Sequence, residues 1–189
     1  RVRLAKDPAG DLVALKVLRK SRFKTGLVRF RREFRALSRI QHPNVIKVEA
    51  YGDLHGHPFI AMEFVDGPDL HSLIRSFRSW DPEKRWRRCE EILIDLCRAL
   101  SSIHRRGLVH RDLKPSNVLM SGKPGRSRLK LTDFGLAFAF EAYFERSGGQ
   151  PQLAGTPTYM APEQVAADPS LQGPWTDLYN LGCIAWSLA

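Results

Sequence analysis

Nowhere in the sequence do apolar residues run for the ~18 positions that a membrane helix requires, and no signal peptide is visible, an absence that applies to this piece of chain alone. Cysteine is scarce, with Cys89, Cys97 and Cys183 the three present. An odd, sparse count argues against a disulfide framework and for a reducing compartment, hence a cytoplasmic setting. No spacing among the three matches a zinc site, so they are expected to be ordinary semi-buried thiols. The pattern GxxxxGK[ST] is missing, which excludes a P-loop nucleotide site. Internal repeats and low-complexity tracts are missing as well.

What is present is 43% hydrophobic and 26% charged over 189 residues, the make-up of a globular chain of one or two domains with enough apolar residues for a core. The chain opens on Arg1 rather than Met and stops within the apolar run "CIAWSLA", so it reads as a piece of a longer polypeptide. Its net charge of +10 is clustered: Arg19 to Arg35 hold eight bases and one acid, and Arg75 to Glu91 hold six bases and four acids. Such clusters suit solvated helix faces or a nucleic-acid surface. No aromatic-interleaved or groove-reading motif accompanies them, so solvated faces are expected and a nucleic-acid partner is not. Attraction to acidic or phosphorylated partners stays open.

Strand patterns dominate the first sixty-odd residues. "VRLAKD" and "LVALKVL" flank a turn supplied by Asp7-Pro8 and Gly10. "LVRFRREFRALSRI" carries Phe30, Phe34, Leu37 and Ile40 at helical spacing, ended by His42-Pro43-Asn44. "VIKVEAYGD" and "PFIAMEFV" read as two further strands. After Asp66-Gly67-Pro68 the pattern turns helical. Ile92, Leu93, Leu96, Leu100 and Ile103 mark a helix from Cys89 to His104, with Gly107 just beyond its end. "LVH", "NVLM" and "LKLTD" read as short strands. "WTDLYNLGCIAWSLA" reads as a buried helix capped by Thr176 and apolar all round, with Asp177 and Asn180 arguing against a membrane span.

Within this frame Lys16 is a misfit. It sits in the strand "DLVALKVL", whose two faces are otherwise apolar, and shares a face with Ala14. A lysine so placed needs an anion. Three further segments stand out: "VHRDLKPSNVL" (Val109 to Leu119), "LTDFGLA" (Leu131 to Ala137) and "GTPTYMAPE" (Gly155 to Glu163). Asp and Asn are also good turn residues, so each segment alone is a moderate signal. In this order, after "VALK" and a helix bearing a carboxylate, the set closely resembles the eukaryotic-type (Hanks-type) serine/threonine protein kinase family. The resemblance covers essentially the whole chain.

It implies an α+β, two-lobed fold, incomplete at both termini: residues 1–66 as a β-rich small lobe with one helix, and 67–189 as a mainly α large lobe. It implies phosphoryl transfer from ATP with Mg2+ to a serine or threonine hydroxyl of a protein substrate, a reaction that needs positioning and charge cancellation more than covalent help. Asp112 would accept the hydroxyl proton, Lys114 would reach the same phosphate, and Asn117 and Asp133 would hold the metal through hard oxygens. Gly135 would let the backbone turn behind Asp133. Lys16 would pair with Glu33 and the α- and β-phosphates, and Thr156 would bridge Asp112 and Lys114. "DLKPSN" and "GTPTY" resemble the serine/threonine branch. Val2, Ala14, Leu70 and Leu119 fall where the family encloses adenine, although core packing accounts for each in part. Met62 falls at the gatekeeper, Glu63 to Val65 at the hinge whose backbone binds the adenine edge, and Asp69 near the ribose. Leu37, Val48, His110 and Phe134 would stack as a spine, and Asp177 would hold the catalytic-loop backbone.

Departures from the family accompany these matches. The family's glycine-rich loop would end at Val2, so its glycines are not in this chain. Glu163 lacks the arginine with which the family's "APE" glutamate pairs. The chain on its own is therefore expected to be inactive or poorly folded. The loop from Leu136 to Met160 offers Ser147, Thr156 and Thr158 as its serines and threonines, and its run "AFAFEAYF" suits an inhibitory plug, a docking site or simple packing. A pseudokinase or scaffold is the alternative, opposed by the presence of Lys16, Glu33, Asp112, Asn117 and Asp133. A small-molecule kinase is opposed by "GTPTYMAPE".

Overall fold

The first hairpin is closed by its own side chains. Asp7 Oδ1 accepts the Ala9 and Asp11 N–H groups at 2.9 and 2.8 Å, and Gly10 takes φ +94°, which its missing Cβ permits. The structure is a computed structural model that describes residues 2–17, 34–55, 57–122, 128–134, 157–166 and 168–189. Strand β1 (Val2–Lys6) pairs antiparallel with β2 (Leu12–Val17), β2 with β4 (His57–Glu63), and β4 with β3 (Val48–Leu54), giving the order β1-β2-β4-β3. Val2 and Ile60 lie opposite Lys16, and Leu4 and Met62 lie opposite Ala14. Cross-strand partners share a face, so Val2, Ala14, Lys16, Ile60 and Met62 line one side of this sheet. Val13 is buried on the other side.

Residues 34–38 are helical (α1), with Phe34 and Leu37 buried and the Phe34 ring 4.3 Å from Tyr51 on β3. Residues 27–33 of the predicted helix, Glu33 among them, lie outside the described residues, and the helix ends at 38 rather than at Ile40. The next stretch does not start a strand at Val45, as the pattern suggested. Leu131 instead donates its N–H to the Asn44 carbonyl (2.8 Å) and accepts the Ile46 N–H (2.9 Å), which joins this stretch to the second sheet. That sheet pairs β5 (Val118–Ser121) with β6 (Arg128–Leu131). The predicted strand "LVH" joins no ladder among the described residues.

The crossing between the strand-rich and helical parts is tight at Gly67. A Cβ there would lie 1.8 Å from the Met120 carbonyl oxygen. We expect Gly67→Ala to lower stability by about 1–3 kcal/mol, the usual cost of forcing extra atoms into a packed site, read as a denaturant-midpoint shift at constant slope.

Beyond it comes α2 (Leu70–Ser76), which sequence periodicity had missed because it is short; the Asp69 carboxylate caps it by accepting the Ser72 N–H at 2.8 Å. Helix α3 (Pro82–His104) starts two turns before the predicted Cys89. Its first turns are polar and exposed, so periodicity does not mark them, but Asp81 caps Lys84 N–H at 3.1 Å with Pro82 at the first position. After α4 (Pro162–Val165), α5 (Pro174–Leu188) has its N-cap at Gly173 rather than Thr176. Thr176 caps from inside the helix, its Oγ1 accepting the Gly173 N–H at 3.1 Å. Nor is α5 buried all round. Thr176, Asp177, Asn180, Ile184 and Leu188 form its hidden stripe, packed in part on α3, whereas Trp175 and Trp186 are 59% and 86% exposed. The described residues cover one side of this helix only.

One buried cluster runs from Phe34 and Ile60 through Leu96 and Leu131 to Ile184, so sheet and helices share a core. The thiols differ from the expectation of three alike: Cys89 is buried, Cys183 half-buried and Cys97 exposed. Burial pushes the Cys89 thiol up, away from thiolate chemistry. Among the described residues no helix is long and apolar enough to cross a membrane.

Candidate active site

Lys16 finds its anion in a distant part of the sequence. Its Nζ lies 2.7 Å from Asp133 Oδ1, at the end of β6, a contact between residues 117 apart in sequence. Both side chains are partly buried, where a charge-assisted bond is stronger than in open solvent. Asp133 takes φ +59°, a left-handed backbone that Asp tolerates better than most residues.

The loop between α3 and β5 carries a second charged group. Lys114 Nζ donates to both carboxylate oxygens of Asp112 at 2.9 Å. Asn117 Nδ2 donates to the Asp112 carbonyl at 2.7 Å and to Asp112 Oδ2 at 2.9 Å. Asn117 is buried, in the short helical turn Pro115–Asn117. With its nitrogen so engaged, the side-chain oxygen is the end left for an outside ligand.

His110, fully buried, ties this loop to the strand before Asp133. Its Nε2 meets the Thr132 carbonyl at 2.9 Å, and a carbonyl only accepts, so Nε2 carries the proton. Nδ1 is then the acceptor for the Asp112 N–H at 3.3 Å. The ring lies 5.0 Å from that of Phe134, and Leu37 and Val48 are buried in the same core.

Underneath sits Asp177, 0% exposed, on the first turn of α5. Oδ2 accepts the His110 N–H at 2.8 Å and His104 Nε2–H at 2.7 Å, and Oδ1 accepts the Arg111 N–H at 2.8 Å. A carboxylate can be this deeply buried only because three donors meet it. His104, in the last turn of α3, was not singled out from sequence; there it reads as an ordinary helix-end residue. Gln164, whose side-chain amide donates to the Arg111 carbonyl, was missed as well, since a lone glutamine carries no signal.

At the end of β4 Met62 is buried, and just beyond the strand Val65 is half-buried. The Glu63 N–H donates to the Lys47 carbonyl at 2.9 Å. The Glu63 side chain accepts Lys47 N–H and Lys130 Nζ, each at 2.7 Å, and so links β4 to β6. Asp69 Oδ1 caps α2. Val2 is exposed, Ala14 and Leu119 are half-buried, and Leu70 is wholly in the core. The structure thus brings Lys16 to Asp133, and Asp112 to Lys114 and Asn117. Glu33, Gly135, Ser147, Thr156 and "AFAFEAYF" lie outside the described residues. Glu163 accepts Thr176 Oγ1–H at 2.6 Å.

A cationic strand residue facing a carboxylate just beyond the second sheet, over a loop whose Asp, Lys and Asn converge, defines the class of protein here. The chain belongs to the protein kinase family, whose domain matches residues 1–189. Among individual relatives it is 32% identical over 182 residues to the serine/threonine-protein kinase PknB of Mycobacterium tuberculosis, covering 93% of this chain and 28% of that protein. It is 35% identical over 185 residues to a probable serine/threonine-protein kinase of Streptomyces coelicolor, covering 95% of this chain and 26% of that protein. The chain therefore spans a little over a quarter of the length of these relatives. Among solved structures, the PknI kinase domain of Mycobacterium tuberculosis superposes with a TM-score of 0.73 at 30% identity, covering 99% of this chain and 67% of that one. Rad53 in complex with AMP-PNP superposes at 0.73 with 26% identity, covering 99% of this chain and 43% of that one. The fold is the two-lobed kinase fold, present in part.

Proposed function

We propose that the protein containing this chain transfers the γ-phosphate of Mg-ATP to a serine or threonine hydroxyl of a protein substrate, with residues 1–66 and 67–189 contributing to its two lobes. The observation that carries the reading is the convergence of Lys114 and Asn117 on Asp112. Two donors hold that carboxylate in one orientation, as a general base needs. Asp112 would accept the proton of the attacking hydroxyl and aim its oxygen at the phosphorus. Lys114, already beside Asp112, would also meet the transferred phosphate. Lys16 would leave Asp133 for the α- and β-phosphates, and Glu33 would pair with it. Asp133 and the outward oxygen of Asn117 are hard ligands that fit Mg2+, whose charge offsets that of the phosphates when bound.

The sheet face lined by Val2, Ala14 and Met62, with Leu119 below, would enclose adenine. The backbone of Glu63 and Val65 would bind its edge and Asp69 the ribose. Thr156 would bridge Asp112 and Lys114. Sequence similarity to named serine/threonine-protein kinases supports the substrate class.

The test is incubation of the full-length protein with Mg-ATP and a generic basic protein, followed by phosphoamino-acid analysis. Phosphoserine or phosphothreonine is the expected product. Nucleotide binding without transfer would replace this reading with that of a non-catalytic scaffold domain.

A further inference from the structure

Gln164 makes a set of contacts that neither its position nor its chemistry advertises. It sits on α4, directly after Glu163. Its Nε2 donates to the Arg111 carbonyl at 2.5 Å. Its Oε1 accepts the Ala161 N–H at 3.0 Å and Asn180 Nδ2–H at 3.1 Å. The amide can face only this way, because a flip would set its NH2 group against two donors. Asn180, buried on α5, also donates to the Tyr159 carbonyl, and the Tyr159 hydroxyl lies 3.2 Å from Ser187 Oγ on the same helix. One glutamine amide therefore joins three parts: the 157–161 segment, α5 and the loop that carries Asp112.

The contact with Arg111 falls on a particular peptide. Arg111 takes φ +64°, a left-handed conformation costly for a residue with a Cβ, which must be held by its surroundings. Its N–H is held by Asp177 and its carbonyl by Gln164. That carbonyl and the Asp112 N–H belong to one planar unit. Fixing the carbonyl therefore fixes the plane from which Asp112 departs, and it aims the Asp112 N–H at His110 Nδ1.

We infer that Gln164 is a positioning residue that locks the Arg111–Asp112 peptide, so that the Asp112 carboxylate is aimed only while the 157–164 segment is seated on α5. The inference rests on the kinase reading above.

The test uses the full-length protein with Gln164→Glu and Gln164→Met. Glutamate keeps the two bonds accepted by Oε1 but sets a carboxylate oxygen against the Arg111 carbonyl. Methionine keeps the length and removes every bond. Both should lower kcat toward a basic protein by about 10- to 100-fold, the cost of slight misplacement of a reacting group, with KM for Mg-ATP nearly unchanged. Amide exchange across 108–117 should quicken in both. Lowering the pH should narrow the deficit of Gln164→Glu alone, since a protonated carboxyl regains a donor for the Arg111 carbonyl. Wild-type kcat in both variants would overturn the inference. So would a joint fall of kcat, ATP affinity and melting temperature without recovery at lower pH. If Gln164→Met does not fold, Gln164→Glu carries the test. If the wild type transfers no phosphate, the kinase reading fails on its own, and unchanged exchange in the variants would then overturn the coupling.

Discussion

Asp112→Asn is expected to abolish phosphoryl transfer and to leave nucleotide binding in place. The substitution is nearly isosteric, and Asn117 Nδ2 can still donate to the residue 112 carbonyl, a bond of 2.7 Å in the native chain. What is lost is the negative charge and the basic oxygen. An amide cannot take the hydroxyl proton, and Lys114, which bonds both Asp112 oxygens, loses its counter-ion. General-base catalysis by a positioned side chain contributes about 10²- to 10⁴-fold, and the loss should fall on kcat with little change in KM for ATP. Steady-state kinetics on a basic protein, with calorimetric titration of Mg-ATP alongside, reads both. Retention of more than about a tenth of the activity would remove Asp112 from the role of base.

Asp177→Asn should cost as much in a different currency. Every neighbour of this carboxylate donates: the N–H groups of His110 and Arg111, and Nε2 of His104. An asparagine must turn its NH2 toward one side. Facing Oδ1's place it meets the Arg111 N–H, and facing Oδ2's place it meets the His110 N–H. His104 can switch tautomer to accept, but a backbone N–H cannot. At least one buried donor is left unpaired and the charge that strengthened the others is gone. Hydrogen bonds to charged groups contribute about 1.5–3 kcal/mol each, so a loss of about 3 kcal/mol or more is expected. Denaturant titration would show it as a lower midpoint at unchanged slope. Activity should fall as well, since Arg111 would lose the hold that keeps it left-handed. A stability loss below about 1 kcal/mol would mean that the loop carrying Asp112 does not depend on Asp177.

These two expectations draw on different sources. Asp112, Lys114, Asn117 and Asp133 are legible in sequence because they fall within short segments whose residue types and spacing match those of the kinase family. Lys16 was legible as a charge inside an apolar strand, and the helices were legible where one face is buried and periodic, as from Ile92 to Ile103. Where periodicity lapses, reading fails. The polar first turns of α3 carry no stripe and were missed, although Asp81 and Pro82 mark a start. The hydropathy of α5 suggested burial on every side, yet composition cannot say which side of a helix meets a neighbour. Thr176 looked like a cap preceding the helix, and only the backbone shows that it caps from within.

The residues of the chain by themselves determined the chemistry available: one lysine among apolar strand positions, a run with aspartate, lysine and asparagine, and a further aspartate before phenylalanine and glycine. Tertiary structure decided what these groups meet. It set Lys16 against Asp133 across 117 residues of chain, buried Asp177 beneath three donors, and turned one glutamine amide toward the Arg111 carbonyl. Such contacts join distant segments and depend on angles of a few degrees and distances of a few tenths of an ångström. A local pattern of residue types holds no record of either, because hydrogen bonds are specified by directions in space and sequence spacing specifies direction only within a single helix or strand.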